Sequence, residues 1–354
     1  MRYKVLGTSG VRVSELCLGT MTFGDDWQFG ATEDVSRSIF DEFCAAGGNF
    51  VDTANTYTYG TSESLVGKFI ASDRDYFIVS TKYSLSTRPT DPNGGGNHRK
   101  NMIRSVENSL RALRTDYIDV FWVHVWDGVT ATADVMRGLD DLIRSGKIRY
   151  AGVSDTPAWV VSRANTLAAL RGWSPFIAMQ TEYSLIERTP ERDLLPMADA
   201  LDLCVLAWAP LGGGILTGKY ELRGDEVHIG DSKRGGWLNG ERLHVRNLRI
   251  AATVSDVARE LGVTPSQLAL AWIRRQLNAP IPIIAGRTVE QIRENIGCID
   301  CGIDDERLQR LNDASAIELG FPHVFLSYDP LRAALHGDRR NLFDEPNRRS
   351  GVVT

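Results

Sequence analysis

The sequence predicts an α/β chain closed into a (β/α)8 barrel of the TIM type. Three observations lead there. Eight short apolar runs punctuate the chain. Most are continuously apolar rather than alternating, the pattern of strands buried on both faces of a parallel sheet. Longer amphipathic stretches separate several of them, as repeated βα units require.

The elements follow in order. Tyr3–Val5 and Val11–Val13, around Thr8-Ser9-Gly10, read as a β-hairpin outside the barrel. The strand candidates are Leu16–Phe23, Asn49–Asp52, Phe77–Lys82, Tyr117–His124, Ile148–Ser154, Phe176–Gln180, Leu203–Ala207 and Ile281–Ala285. Thr32–Ala46 reads as a helix stopped by Gly47-Gly48. Asn97–Leu113 and Asp134–Ser145 behave alike, the second closing at Gly146. Thr264-Pro265 opens a helix running to Arg275, with proline in its first turn. Thr288–Ile299 carries apolar residues on one side and charges on the other. Leu211–Arg246 is long and lacks periodicity, and such a loop inside a compact domain is usually functional. Gly337–Thr354 is polar and reads as a partly disordered tail. No repeat or linker divides the 354 residues, so 1–354 reads as one domain, with its core at about 14–316 and a C-terminal loop and tail at 317–354.

Composition excludes several function classes. The chain is 43% hydrophobic and 24% charged, with a formal net charge of −5. That suits a globular protein with a large core and argues against a nucleic-acid partner. Cys17, Cys44, Cys204, Cys298 and Cys301 are odd in number, which reads as reduced thiols. Cys298 and Cys301 form a lone CxxC pair with neither a second pair nor a redox context, so no metal site is expected. The histidines are scattered and form no HExxH. The N-terminus lacks an apolar signal-peptide core, and no apolar run approaches the ~20 residues of a membrane helix. The expected location is therefore cytoplasmic, away from membranes. Gly213–Lys219 reads GxxxxGK, but Tyr220 follows where a P-loop needs Ser or Thr. No GxGxxG is present, which argues against a Rossmann dehydrogenase.

In such a barrel the active site lies at the C-terminal ends of the strands. Four polar residues stand there: Asp52, Tyr57, Lys82 and His124. Each alone has a plain structural explanation as a cap, a surface ring, a strand-end charge or a satisfied histidine. Together they make chemical sense. A phenol titrates near 10, and an adjacent ammonium lowers that value. A carboxylate can hold the ammonium, and a histidine can orient a carbonyl. The set describes proton donation to the oxygen of a carbonyl whose carbon receives a hydride.

At these residues the chain resembles the aldo-keto reductase superfamily, over nearly its whole length. The matching stretches are GTMTFG (19–24), DTANTYTYGTSE (52–63), STKY (80–83), YIDVFWVH (117–124), GKIRYAGVSD (146–155), WAPLGGGILTGKY (208–220) and AGRTVEQIRENI (285–296). WVHVWD and GVSDTPAW are similar to the aryl-alcohol-dehydrogenase-like branch. The resemblance implies Tyr57, not Tyr59, as general acid. It implies Lys82 and Asp52 as the groups that tune that acid, and His124 as the residue that orients the carbonyl. It further implies Ser154, Asp155 and Gln180 at the nicotinamide carboxamide, and Trp208 stacked on the ring. Leu216, Gly218 and Lys219 would close over the pyrophosphate. Arg287 would meet a 2′-phosphate, with Gln291 and Asn295 near the adenine. Gly19, Thr20, Pro210, Leu211 and Gly286 complete the implied cofactor set, and long loops would cover cofactor and substrate.

Two positions depart from the family pattern. Asp155 stands where asparagine is common, and an ionised carboxylate cannot donate to an amide oxygen. Gly286 replaces a phosphate-binding hydroxyl, yet Arg287 still offers a bidentate grip, so NADP(H) is expected over NAD(H). The expected activity is reversible reduction of an aldehyde or ketone to an alcohol. The alternative is a cofactor-binding accessory subunit with little turnover, like the potassium-channel β subunits. Phe23, Trp27, Tyr83 and Trp126 are candidates for an aromatic substrate pocket. Phe321, Phe325 and Tyr328 lie in a tail that could fold over it.

Overall fold

A computed structural model describes residues 1–223, 226–229, 242–337 and 342. Eight parallel strands close into a barrel: β1 (Cys17–Gly19), β2 (Phe50–Asp52), β3 (Ile78–Tyr83), β4 (Ile118–Val123), β5 (Ile148–Ser154), β6 (Phe176–Glu182), β7 (Cys204–Trp208) and β8 (Ile281–Ile284). Each pairs with its neighbour in sequence. β8 returns to β1 through Ile283 opposite Cys17 and so closes the ring. Every expected strand is present: Ile148–Ser154 as expected, Phe176–Gln180 lengthened to Glu182, Phe77–Lys82 and Leu203–Ala207 shifted one residue onward, and the rest shortened at their ends.

The side chains divide by strand parity, since successive residues point to opposite faces. Cys17, Phe50, Val120, Trp122, Ala178, Leu206 and Ile281 fill the barrel interior. Leu18, Val51, Val79, Phe121 and Val123 face outward and pack under the helices. Trp122 is fully buried, and Gly152 on the neighbouring strand makes room for it. A Cβ at Gly152 would lie 2.2 Å from the Trp122 ring.

The expected hairpin forms from Tyr3–Val5 and Arg12–Ser14. It sends Leu6 and Val13 into the interior cluster and seals the floor of the barrel. The ammonium of Lys4 donates to the carbonyl of Ala279, and Arg274 pairs with Glu15, tying the hairpin end of the chain to the region before β8.

The outer layer contains α1 (Glu33–Ala45), α2 (Thr61–Phe69), α3 (Arg99–Leu113), α4 (Thr132–Arg144), α5 (Ala158–Arg171), α6 (Leu194–Ala200), α7 (Val245–Leu261), α8 (Pro265–Arg274), α9 (Val289–Ile296) and α10 (Asp305–Ala314). Their ends obey local rules. α1 stops at Ala46 before Gly47, whose φ is +87°. α8 begins with a capping box between Thr264 and Gln267 and carries proline in its first turn. The sequence left α5 unread because valines and alanines spread around it, giving no clear polar face.

The stretch expected to be an irregular loop is partly regular. Gly212–Thr217 forms a tight 3-10 turn in which Gly213 and Gly214 take φ values of +68° and +98°. Tyr220–Arg223 and Glu226–Ile229 pair antiparallel. The rest of that stretch, at 224–225 and 230–241, lies outside the described residues, as does the tail at 338–341 and 343–354. Phe321, Phe325 and Tyr328 are about half exposed or more, and Phe325 contacts the other two rings. This arrangement gives them no role as a buried cover.

Candidate active site

Asp52 ends β2, Lys82 lies next to last in β3, and His124 follows β4. All three sit at the C-terminal rim, because adjacent parallel strands bring their ends together. Tyr57 comes from the loop between β2 and α2. Its turn is set by Thr58 and Tyr59, which adopt left-handed φ values of +45° and +56°. That conformation sends Tyr57 inward and leaves Tyr59 81% exposed.

One ammonium organises the centre. Lys82 Nζ donates to Asp52 Oδ2 at 2.5 Å, to the Thr53 carbonyl at 2.8 Å and to the Tyr57 oxygen at 3.2 Å. All three of its protons are therefore used. Asp52 Oδ1 accepts from Ser80 Oγ at 2.6 Å and from Gln180 Nε2 at 2.8 Å. The carboxylate and the ammonium are both buried, and every polar contact each needs is present. The Tyr57 oxygen accepts from Lys82, so its own proton is left over. No described residue accepts it.

Burial alone would pull the Lys82 ammonium down. The Asp52 charge and the Tyr57 oxygen outweigh that and hold it at about 12. Tyr57 departs from the sequence expectation of a lowered phenol. Burial pushes its pKa up, Lys82 pulls it down, and Asp52 and Asp155 push it up again, with a net rise. The phenol is thus held as an acid with its proton on. His124 goes the other way. Burial and the Lys82 charge lower it to about 3, so its ring is neutral. Its Nδ1 is buried without a partner, and its ring lies edge-on to Tyr57 at 6.1 Å.

The remaining predicted residues divide. Ser154 is buried at the end of β5, and Asp155 follows at the exposed rim with φ +42°. Asp155 Oδ1 accepts from Trp208 Nε1 at 3.0 Å. The walls around Asp155 push its carboxyl upward against the pull of Trp208, Ser154 and Lys82, and its exposure tempers that push. Gln180 spends its amide nitrogen on Asp52, leaving its amide oxygen for a further donor. Gly19 abuts β8, where a Cβ would meet Ile283 at 2.6 Å. Thr20 is buried, with its hydroxyl bonded to the Asp52 carbonyl.

Pro210 and Leu216 are also buried, so Leu216 can offer only backbone to a ligand. Leu211 borders the 3-10 turn, Gly218 ends it at φ +78°, and Lys219 is exposed over the Tyr220 ring at 5.1 Å. Gly286 accepts from Thr22 through its carbonyl. Arg287 donates its backbone N–H to Gln291 at 2.8 Å, just before the Thr288 cap of α9. Asn295 donates to the Ala285 carbonyl at 3.0 Å.

The aromatic pocket requires correction. Tyr83 is fully buried and stacks on Phe121 at 5.2 Å, because it neighbours inward-facing Lys82 and must face outward. Phe23 is buried against Phe69 under the helices. Trp126 packs on the outer core and lines a small apolar cleft with Val123, Met136 and Val160. Of the four rings Trp27 meets Tyr57, edge-on at 6.4 Å, while Trp126 touches the site through its backbone N–H, which donates to the Asp155 carbonyl at 3.5 Å. The sequence reading missed Ser80, whose signal was its position two residues before Lys82 on the same strand face.

Among the described residues no acid, cysteine or histidine cluster could hold a metal, and no helix is long and apolar enough to cross a membrane. The basic side chains and open backbone after β7 and β8 suit an anionic ligand. Lys219 and the Arg287 guanidinium have no acidic partner among the described residues, and Gly212, Gly213 and Gly214 leave the first half of the turn free of side chains.

A model of the Aldo/keto reductase family matches residues 15–316. The chain is 36% identical over 342 residues to a norsolorinic acid reductase of Aspergillus flavus, spanning 94% of this chain and 85% of that protein. It is 37% identical over 336 residues to an aryl-alcohol dehydrogenase [NADP(+)] of Phanerodontia chrysosporium, spanning 89% and 86%. To a putative aryl-alcohol dehydrogenase of Saccharomyces cerevisiae it is 33% identical over 342 residues, spanning 93% and 90%.

Proposed function

The chain belongs to the aldo/keto reductase family, and from that premise we propose that it reduces an aldehyde or ketone, aromatic by preference, to the alcohol with NADPH. One observation carries this reading. The Tyr57 oxygen accepts from Lys82, so the phenol proton is free to be given away.

NADPH, when bound, supplies the hydride. Arg287 and Lys219 are the residues to hold its phosphates, and Ser154, Asp155, Gln180 and Trp208 the nicotinamide end. Tyr57 donates its proton to the carbonyl oxygen as negative charge builds there. Lys82 stabilises the phenolate left behind, and Asp52 keeps Lys82 in place. Neutral His124 orients the carbonyl oxygen through a ring nitrogen. Trp27 presents an aromatic edge beside Tyr57, which favours a flat apolar substrate. Two relatives named for aryl alcohols support the same substrate class. The five free cysteines support a reducing, cytosolic setting.

The test is loss of absorbance at the cofactor band with a panel of aromatic aldehydes. Tyr57→Phe should cut turnover by ~10²–10⁴ with cofactor binding intact. Tight NADPH binding with no carbonyl consumed, and no effect of Tyr57→Phe, would instead identify an accessory cofactor-binding subunit.

A further inference from the structure

At the mouth of the barrel Asp155 carries a charge that no cation among the described residues pairs with. Asp52 and Lys82 cancel each other in a buried pair. Tyr57 keeps its proton and His124 is neutral. Glu182, at the end of β6, pairs with Arg242 at 2.7 Å. Asp155 has no cationic partner within ion-pair distance among the described residues, and its charge is felt at both Tyr57 and Lys82. It is also held in position. Its backbone takes a left-handed φ of +42°, and Trp208 Nε1 grips its Oδ1 at 3.0 Å.

We propose that Asp155 sets the balance between the two bound cofactor forms: its carboxylate stabilises the oxidised, cationic nicotinamide over the reduced, neutral one at this mouth. The inference rests on the reductase reading above. During reduction the carbonyl carbon gains a hydride with its two electrons. The π pair moves to oxygen, which takes the Tyr57 proton, and the nicotinamide is left with one added positive charge. A fixed negative charge nearby favours that outcome by Coulomb attraction. It makes a bound NADPH a stronger hydride donor and slows the reverse oxidation. The same charge strengthens the hold of Tyr57 on its proton, which acts against donation, so the cofactor's charge balance is read apart from the proton step, in binding alone. Asparagine at this position would keep the acceptor for Trp208 and lose the charge.

The experiment is fluorescence titration of the full chain with NADP⁺ and NADPH separately, in wild type, Asp155→Asn and Asp155→Ser. Both neutral variants should raise the Kd for NADP⁺ on the order of tenfold relative to that for NADPH. Equal movement of the two Kd values, no movement, or disagreement between Asn and Ser overturns the inference. A wild-type chain that binds neither form overturns the reductase reading, and this inference with it. Binding of both forms with an unchanged ratio overturns only the role of Asp155.

Discussion

Gln180 reaches across the barrel from β6 and donates to Asp52 Oδ1 on β2 at 2.8 Å, joining residues 128 positions apart in sequence. The bond turns a local pair into a cross-barrel network. A buried hydrogen bond to a charged group contributes about 1.5–3 kcal/mol. Gln180→Ala should therefore lower thermal stability and turnover together, read by a melt and by steady-state kinetics. Unchanged stability would mean that Asp52 does not need this donor.

His124 yields a prediction about pH. Its folded value is about 3, against ~6.5 in an unfolded chain. Between those values the unfolded state binds more protons. Stability from the neutral ring is thus present above ~6.5 and is lost as pH falls toward 3. The reduction rate should stay flat between about pH 8 and 5, and a rate step near 6.5 would show that the imidazole titrates in the native site. His124→Lys, a fixed cation beside Lys82, should abolish turnover.

Arg287 is expected to select the phosphorylated cofactor. Removing a bidentate guanidinium from a phosphate costs about 1.5–3 kcal/mol. Arg287→Ala should weaken NADPH binding by ~10–100-fold and leave NADH binding nearly unchanged, as read by titration. A parallel loss for both would move Arg287 away from the 2′-phosphate.

Gly152 faces the Trp122 ring with no room for a methyl group. Gly152→Ala should destabilise the barrel by about 1–3 kcal/mol through overpacking. A melt several degrees lower should recover in part when Trp122→Phe is added. Additive losses would place the strain elsewhere.

Much of this molecule could be read in its sequence. The strands were visible because burial on both faces makes each an unbroken apolar run, as in Phe121-Trp122-Val123. Asp52, Lys82 and His124 were visible because strand ends gather in space whatever the loops do. The contact of Gln180 with Asp52 was hidden, since nothing local encodes a partner 128 residues away. The hold of Trp208 on Asp155 was hidden for the same reason. Tyr83 was misplaced although the signal was present. Next to an inward lysine, its ring had to point outward, and period-two counting gives that result without a structure. The rise in the Tyr57 pKa was also out of reach. It depends on how much water the fold removes, while the sequence offered only the neighbouring ammonium.

Lys4 and Ala279 meet although they lie 275 residues apart, and β1 finds its second neighbour only in β8. On the ribosome the opening strand must therefore wait. Its free edge can pair with β2 early, but its other edge stays bare until most of the chain has been made. Closing the ring is a late step of folding, and a chain that stops before Ile281 leaves two sheet edges open, at β1 and at β7.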